Sequence, residues 1–346
     1  MAAQIKESSP PTIQPYKETF SLGRFVRTYG GQLGIIGVFF GLWIIFIVSA
    51  PDTFLSSRIY FAFMSTIPFF AIMAIPLTMV VIAGEMDLSF PSIMGMGMVA
   101  FSFVYERTVS IDNVTTRVIL AFFAALVSGS LIGWLNGVII VKFGIPSLVA
   151  TIGTQFFWRG AVLVLTEGRN YTLSYIKETF LYPVLVGKIG GYFPMQMIWL
   201  IVIAIFGWIL LNRHQFGAHV YLIGDNVQSA QLMGINTGRV RIRVFMLLGL
   251  ISAFAGVLYS FHIAYFWPSL GEGYLLNTLA SVFLGGTSVF GGVGTILGTF
   301  LGAFIIGAIE AATVAVGLTG FWTQLIYGLI IVLSVIMHTY LRKRAG

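Results

Sequence analysis

Ten apolar runs, each close to the length of a bilayer crossing, take up most of this chain and leave room for little except a bundle of membrane helices. A spanning α-helix needs roughly 20 mainly apolar residues, because no water is present in the hydrocarbon to satisfy an unpaired backbone group. The runs fall at about 33–50, 62–83, 92–105, 117–141, 148–165, 195–211, 244–262, 275–290, 294–316 and 322–341. Only 9% of the 346 residues are charged and 58% are hydrophobic, against roughly 25% charged in a soluble domain. The expectation is one all-α integral membrane domain over residues 31–346. It follows a polar tail, residues 1–30, whose Pro10, Pro11 and Pro15 and lack of an early apolar stretch do not read as a cleavable signal.

The third and eighth runs are short, and Pro68 and Pro76 should kink the second. Such helices are tolerated in lipid only where protein buries them or where they line a cavity. Orientation follows from basic residues. With the tail inside, Lys6, Lys17, Arg24, Arg27, Lys142, Arg213, Arg239, Arg241, Arg243, Arg342, Lys343 and Arg344 face the cytoplasm. Arg58, Arg107, Arg117, Arg169, Lys177 and Lys188 face outward. Twelve against six satisfies the positive-inside rule and puts both termini in the cytoplasm. The net charge of +7 is read as this asymmetry and not as a nucleic-acid surface.

Several chemistries are missing. There is no cysteine, and the four histidines have no metal-ligand spacing. The one Gly-Lys pair, Gly187-Lys188, has Tyr182 where a phosphate-binding loop needs its first glycine and Ile189 where it needs a hydroxyl. No hydrolase motif is present either, so the chain is expected to be neither an ATPase nor another enzyme, with no cofactor of its own.

What stands out against the apolar background is a polar, basic-flanked loop over about 212–243, including Phe216 to Gly234. Gln228, Ser229 and Ala230 suit a short surface helix closed by Gly234 in the left-handed conformation. Ala230 is expected to face a soluble partner that admits only a small side chain. Two further turns look alike, Ala83-Gly84-Glu85-Met86-Asp87-Leu88-Ser89 and Gly285-Gly286-Thr287-Ser288-Val289-Phe290-Gly291-Gly292. Both are expected on the cytoplasmic side, with Glu85 and Asp87 at the membrane edge, and their likeness suggests an internal repeat. Small residues spaced by four, Gly129/Gly133/Gly137 and Gly294/Gly298/Gly302, are expected to let helices approach closely. Only Arg159 and Glu310 lie deep in runs. Arg159 reads as a structural pairing residue, with the transport pathway as its alternative role.

Taken together, Val81-Ile82-Ala83-Gly84-Glu85-Met86-Asp87-Leu88-Ser89, Asn136-Gly137 with Ile145-Pro146-Ser147-Leu148-Val149-Ala150-Thr151-Ile152-Gly153 and Arg159-Gly160, Phe216-Gly217 and Ile223-Gly224-Asp225-Asn226 with Ala230 and Gly234-Ile235, and Gly285-Gly286-Thr287-Ser288 with Gly291-Gly292, Gly294-Thr295 and Gly298 resemble four ordered blocks of the ribose/galactose-type permeases of ABC importers. The resemblance covers nearly the whole chain after the tail. It implies about ten helices in a fold similar to the vitamin B12-type importer permeases. It also implies a second permease subunit, two cytoplasmic ATPases that bind the ATP, and a periplasmic sugar-binding protein. In that setting Gln228, Ser229, Ala230 and Gly234 would couple to an ATPase, and Gly84, Asp87, Ser89, Gly285, Gly286 and Thr287 are the motif-loop residues.

The chain departs from the resembled pattern at Glu85-Met86 and Phe90-Pro91, at Leu275-Leu276-Asn277, where Glu-Leu-Asp is usual, and at Glu310-Ala311-Ala312, where Asn-Gly-Leu is usual. Candidate pathway residues are the polar or aromatic groups near helix breaks or motifs: Asn136, Gln155, Trp158, Asn277, Thr278 and Ser281. An interhelical hydrogen bond is the alternative role for each. The function expected is import of a monosaccharide. Rival readings are a related permease for branched-chain amino acids or nucleosides, and an ion-coupled carrier.

Overall fold

The structure, a computed structural model, describes residues 22–345, with side chains from 33 to 333 and at Ile336; the tail over 1–21 lies outside it. The chain runs α1 (Leu22–Ser49), α2 (Pro51–Phe54), α3 (Ser57–Thr66), α4 (Pro68–Ile82), α5 (Phe90–Arg107), α6 (Val114–Phe143) and α7 (Ser147–Thr166). A capping segment follows, made of β1 (Tyr171–Thr172), a 3-10 turn at Ser174–Glu178, α8 (Leu181–Val186), β2 (Lys188–Ile189) and β3 (Phe193–Pro194). Then come α9 (Met195–Asn212), α10 (Gln215–Asp225), α11 (Val227–Leu232), α12 (Thr237–Ile263), β4 (Tyr265–Phe266), α13 (Tyr274–Leu284), α14 (Ile296–Ala315) and α15 (Phe321–Ala345). This is an all-α membrane protein with two short ribbons. Antiparallel β1–β4 pairs Tyr171 with Phe266, and β2–β3 pairs Ile189 with Phe193.

A helix occupies part of every expected run, but not all are long enough to cross. Counted over the described residues alone, five are long and apolar enough: α6, α7, α9, α12 and α14. The pair α3–α4 makes a sixth if its two arms count as one span, bent by 53°. This bend is the kink expected in the run over 62–83, and it parts the run into two helices. It sits at Pro68, the first residue of α4, while Pro76 is carried inside α4 without breaking it. The eighth run differs from expectation. Helix α13 stops at Leu284, not 290, because Gly286 turns left-handed at φ +85°. Its 11 residues span only about 16 Å.

Helices α4 and α12 form the centre: every residue of α4 is buried, and α12 packs along α4, α5 and α6. The glycine stripe of α6 explains the last contact. A Cβ at Gly129 would strike the Gly249 carbonyl, one at Gly133 the Phe245 carbonyl, and one at Gly137 would lie 2.8 Å from the Ile242 Cα. The second stripe does the same for α13 and α14, where a Cβ at Gly298 would meet the Gly285 carbonyl and one at Gly302 the Ser281 carbonyl. Both stripes therefore serve packing within the chain. Many buried hydroxyls are satisfied along their own helices, as in Ser252 to Leu248 O at 2.7 Å, or between helices, as in Thr78 to Thr299 at 2.6 Å. The outward faces of α7 and α9 carry Phe156, Phe157, Val164, Ile205 and Phe206, a surface suited to hydrocarbon.

Candidate functional site

At one end of the bundle the polar loop and the two glycine turns meet. Helices α4 and α13 end in the same way. Gly84 N bonds Val81 O at 2.9 Å and Glu85 N bonds Val80 O at 3.1 Å; Gly286 N bonds Phe283 O at 3.0 Å and Thr287 N bonds Val282 O at 3.2 Å. Each turn has a left-handed glycine, at φ +79° in Gly84 and +85° in Gly286. The second turn then reaches the first, with Gly292 N donating to Ile82 O at 2.9 Å. Gly224, at the end of α10, sits against both, and a Cβ there would strike the Ile82 carbonyl and the Gly292 nitrogen. Tyr221 of α10 donates to Gly294 O at 2.8 Å. The polar loop is thus keyed to the ends of α4 and α13 and to the start of α14.

Asn226 caps α11 by accepting from Ser229 N at 2.9 Å, and Gly234 closes it at φ +82° with Ile235 N bonded to Ala230 O at 3.1 Å. Gln228 and Ser229 are exposed. Ala230 is not: it is 1% exposed, so its small side chain faces the protein and not a partner, contrary to expectation. The outward residues are Leu232, 90% exposed, and Met233, 66% exposed. Sequence reasoning passed over them, although an apolar pair in a polar loop was a readable signal.

The 84–89 turn is pinned on every side. Met86 N donates to Ser147 Oγ at 2.9 Å and Leu88 N to Thr151 Oγ1 at 3.1 Å. Asp87 accepts from Ser89 N at 2.7 Å and Ser89 Oγ at 2.6 Å, and Asn136 donates to Ser89 Oγ at 2.7 Å. Gln155 joins this group. In the amide orientation that satisfies its neighbours, its nitrogen donates to Leu88 O and Ser89 O, each at 3.1 Å. Neither acid lies at an exposed membrane edge. Asp87 is fully buried beside the start of α5, and Glu85 is 7% exposed and paired with Arg241 of α12. Burial pushes the Asp87 carboxyl above its usual range, while its hydrogen bonds with Ser89 pull it back.

The remaining candidates divide. Thr278 and Ser281 are buried and donate back to Tyr274 O at 2.7 Å and Asn277 O at 2.6 Å. Trp158 is half-buried, its ring edge-on to Phe157. Asn277 lines a cavity of about 890 Å³ at the other end of the bundle, together with Tyr259, Trp267, Tyr274 and Glu310. Arg159 is a structural clamp. It donates to the carbonyls of Pro268 at 2.5 Å, Leu270 at 3.0 Å and Pro91 at 3.2 Å, with Glu272 at 3.4 Å, and so fixes the 267–273 loop on α5 and α7. Among the described residues no His, Asp and Glu cluster is placed to hold a metal.

This arrangement is that of a helical membrane body with one surface hairpin wired into its core turns. The sequence of the chain is similar to those of known proteins. The chain is 30% identical over 272 residues to the ribose import permease protein RbsC of Escherichia coli (strain K12), covering 77% of this chain and 81% of that one. It is 32% identical over 306 residues to the inner membrane ABC transporter permease protein YjfF of the same strain, covering 88% and 90%. It is 30% identical over 265 residues to the autoinducer 2 import system permease protein LsrC of Yersinia pseudotuberculosis, covering 75% and 71%. No solved structure matches it. Residues 59–335 match the family described as branched-chain amino acid transport system / permease component, and the chain is a member of that family of multi-pass transport permeases.

Proposed function

We propose that the chain is the membrane-spanning permease subunit of an ATP-driven importer for a monosaccharide or a closely related polyol, in a bacterial inner membrane. The observation that carries this reading is the α10–α11 hairpin. Gly224 keys it to the ends of α4 and α13, and it offers Leu232 and Met233 outward as an apolar grip for a soluble partner. An amphipathic segment laid in a groove is a common docking mode. A motor that pulls on this hairpin would act directly on the turns at Gly84 and Gly286. The partners are two ATPases, a periplasmic binding protein and a second permease subunit, which is either a copy of this chain or a different one. On this reading the subunit has ten membrane segments, including the short and broken ones, with both termini in the cytoplasm and a fold of the B12-type permeases. The family description names branched-chain amino acids, but relatives named for ribose and autoinducer 2 favour a polyhydroxylated solute.

The test is uptake into proteoliposomes holding the permease with its ATPases and binding protein. Sugar should accumulate only with ATP, and collapse of ion gradients should leave uptake intact. Leu232→Glu should leave the protein folded but strip the ATPase from the complex. Uptake that survives without ATP and fails without an ion gradient would instead favour a secondary carrier.

A further inference from the structure

The cavity beside α13 has no role in the coupling hairpin, and its chemistry is specific. At about 890 Å³ it falls among ordinary small-molecule sites, which run to ~300–1,000 Å³. Tyr259, Trp267 and Tyr274 make a continuous aromatic wall. The Tyr259 ring centroid lies 5.6 Å from those of both Trp267 and Tyr274, edge-on to each. Two carboxylates, Glu272 and Glu310, line the cavity, and among the described residues no lysine, arginine or histidine does. Glu272 is partly offset by Arg159 at 3.4 Å, whereas Glu310 forms no ion pair among the described residues. A carboxylate in a spanning helix is costly and is seldom kept for packing alone. The neighbouring Gly307 and Ala311 also line the cavity and add little bulk beside it.

Position adds to the argument. Helix α14 begins beside the α10–α11 hairpin, and Glu310 lies fourteen residues along it, which is about 21 Å of rise. The cavity is therefore at the end of the bundle remote from the hairpin. Asn277 and Glu310 both line it.

We propose that this cavity is a solute site that takes a polyhydroxylated molecule without an anionic group, neutral or amine-bearing, and turns away its uronate or phosphate forms. The proposal rests on the importer reading above. Aromatic faces pack against the C–H side of such a molecule. Asn277 and Glu310 accept hydrogen bonds from its hydroxyls, and an amine gains both the carboxylate and the ring faces. Two carboxylates without a lining cation supply the repulsive element that selectivity needs.

Galactose, galactosamine and galacturonate share a skeleton and differ in charge, so they make suitable probes. The full-length permease with its ATPases, in lipid nanodiscs and without the binding protein, should transfer saturation in NMR to galactose and galactosamine. Transfer to galacturonate should be at least about tenfold weaker. Glu310→Gln, which keeps the side-chain size, should narrow that gap by about tenfold, Asn277→Asp should widen it, and Trp267→Ala should weaken all three signals. Thermal unfolding of each variant complex checks its fold. Equal transfer to galacturonate and galactose in the unaltered protein would overturn the proposal. So would an unchanged ranking in folded Glu310→Gln and Asn277→Asp, or no transfer to any probe. If charge discrimination is absent while ATP-driven uptake persists, only the site is wrong. If charge-selective binding is found without ATP-driven uptake, only the importer reading is wrong.

Discussion

Glycine serves two separate purposes within the coupling hairpin. At Gly234 the backbone stands at φ +82° and nothing lies within 4 Å of a would-be Cβ, so conformation and not space demands the glycine. At Gly224 a Cβ has no room between Ile82 and Gly292. Gly234→Asn should therefore be nearly neutral, because asparagine tolerates the left-handed region, while Gly234→Val should cost about 1–2 kcal/mol. Thermal unfolding of the two variants checks this, and equal stability would show that the cap is not under conformational control. The pair Glu85–Arg241 ties the first glycine turn to α12, directly after the hairpin. Glu85→Ala leaves Arg241, whose side chain is only partly exposed, without its counter-charge, at a cost of about 1–2 kcal/mol. The exchanged pair Glu85→Arg with Arg241→Glu should recover part of that loss in unfolding measurements, whereas independent effects would simply add.

Among the elements, α6 and α12 depend most on close approach. In lipid no hydrophobic force draws two apolar helices together, so association rests on packing and on interhelical polar contacts. The stripe Gly129, Gly133 and Gly137 lets the two backbones touch. Gly133→Leu would force them apart where neither backbone can yield, with a loss of about 3 kcal/mol or more. Gly153→Leu on α7 is the control, since nothing lies within 4 Å of its Cβ. Detergent-solubilised Gly133→Leu should aggregate on size exclusion while Gly153→Leu elutes as the unaltered protein does. The breaks between elements follow the same local chemistry, with α4 starting at Pro68 and α13 ending at the left-handed Gly286.

For the molecule as a whole, the contacts impose a sidedness that labelling can read. The turns at Gly84 and Gly286 lie with α10–α11 at one end, and the β1–β4 ribbon joins the segments after α7 and α12 at the other. The basic residues assign the first end to the cytoplasm. Since the chain has no cysteine, single cysteines at Ser110 and Lys177 should react with an impermeant thiol reagent in intact cells, and those at Gln228 and Ala345 should not. Labelling of Gln228 from outside would invert the assignment.

The membrane class, the helical segments, the break at Pro68 and the cap at Gly234 could all be read from the sequence. Each depends on properties of residues adjacent in the chain: length, hydropathy, a missing amide proton, a permitted φ. Other features had no sequence signal. Ala230 turns inward, Asp87 and Glu85 are buried, Arg159 bonds to carbonyls more than a hundred residues away, and Asn277 shares a cavity with Glu310. The likeness of the two glycine turns was visible in the sequence, but not that Gly292 donates to Ile82. Those contacts join segments far apart in sequence, and only the crossing and close approach of packed helices determine which of them meet.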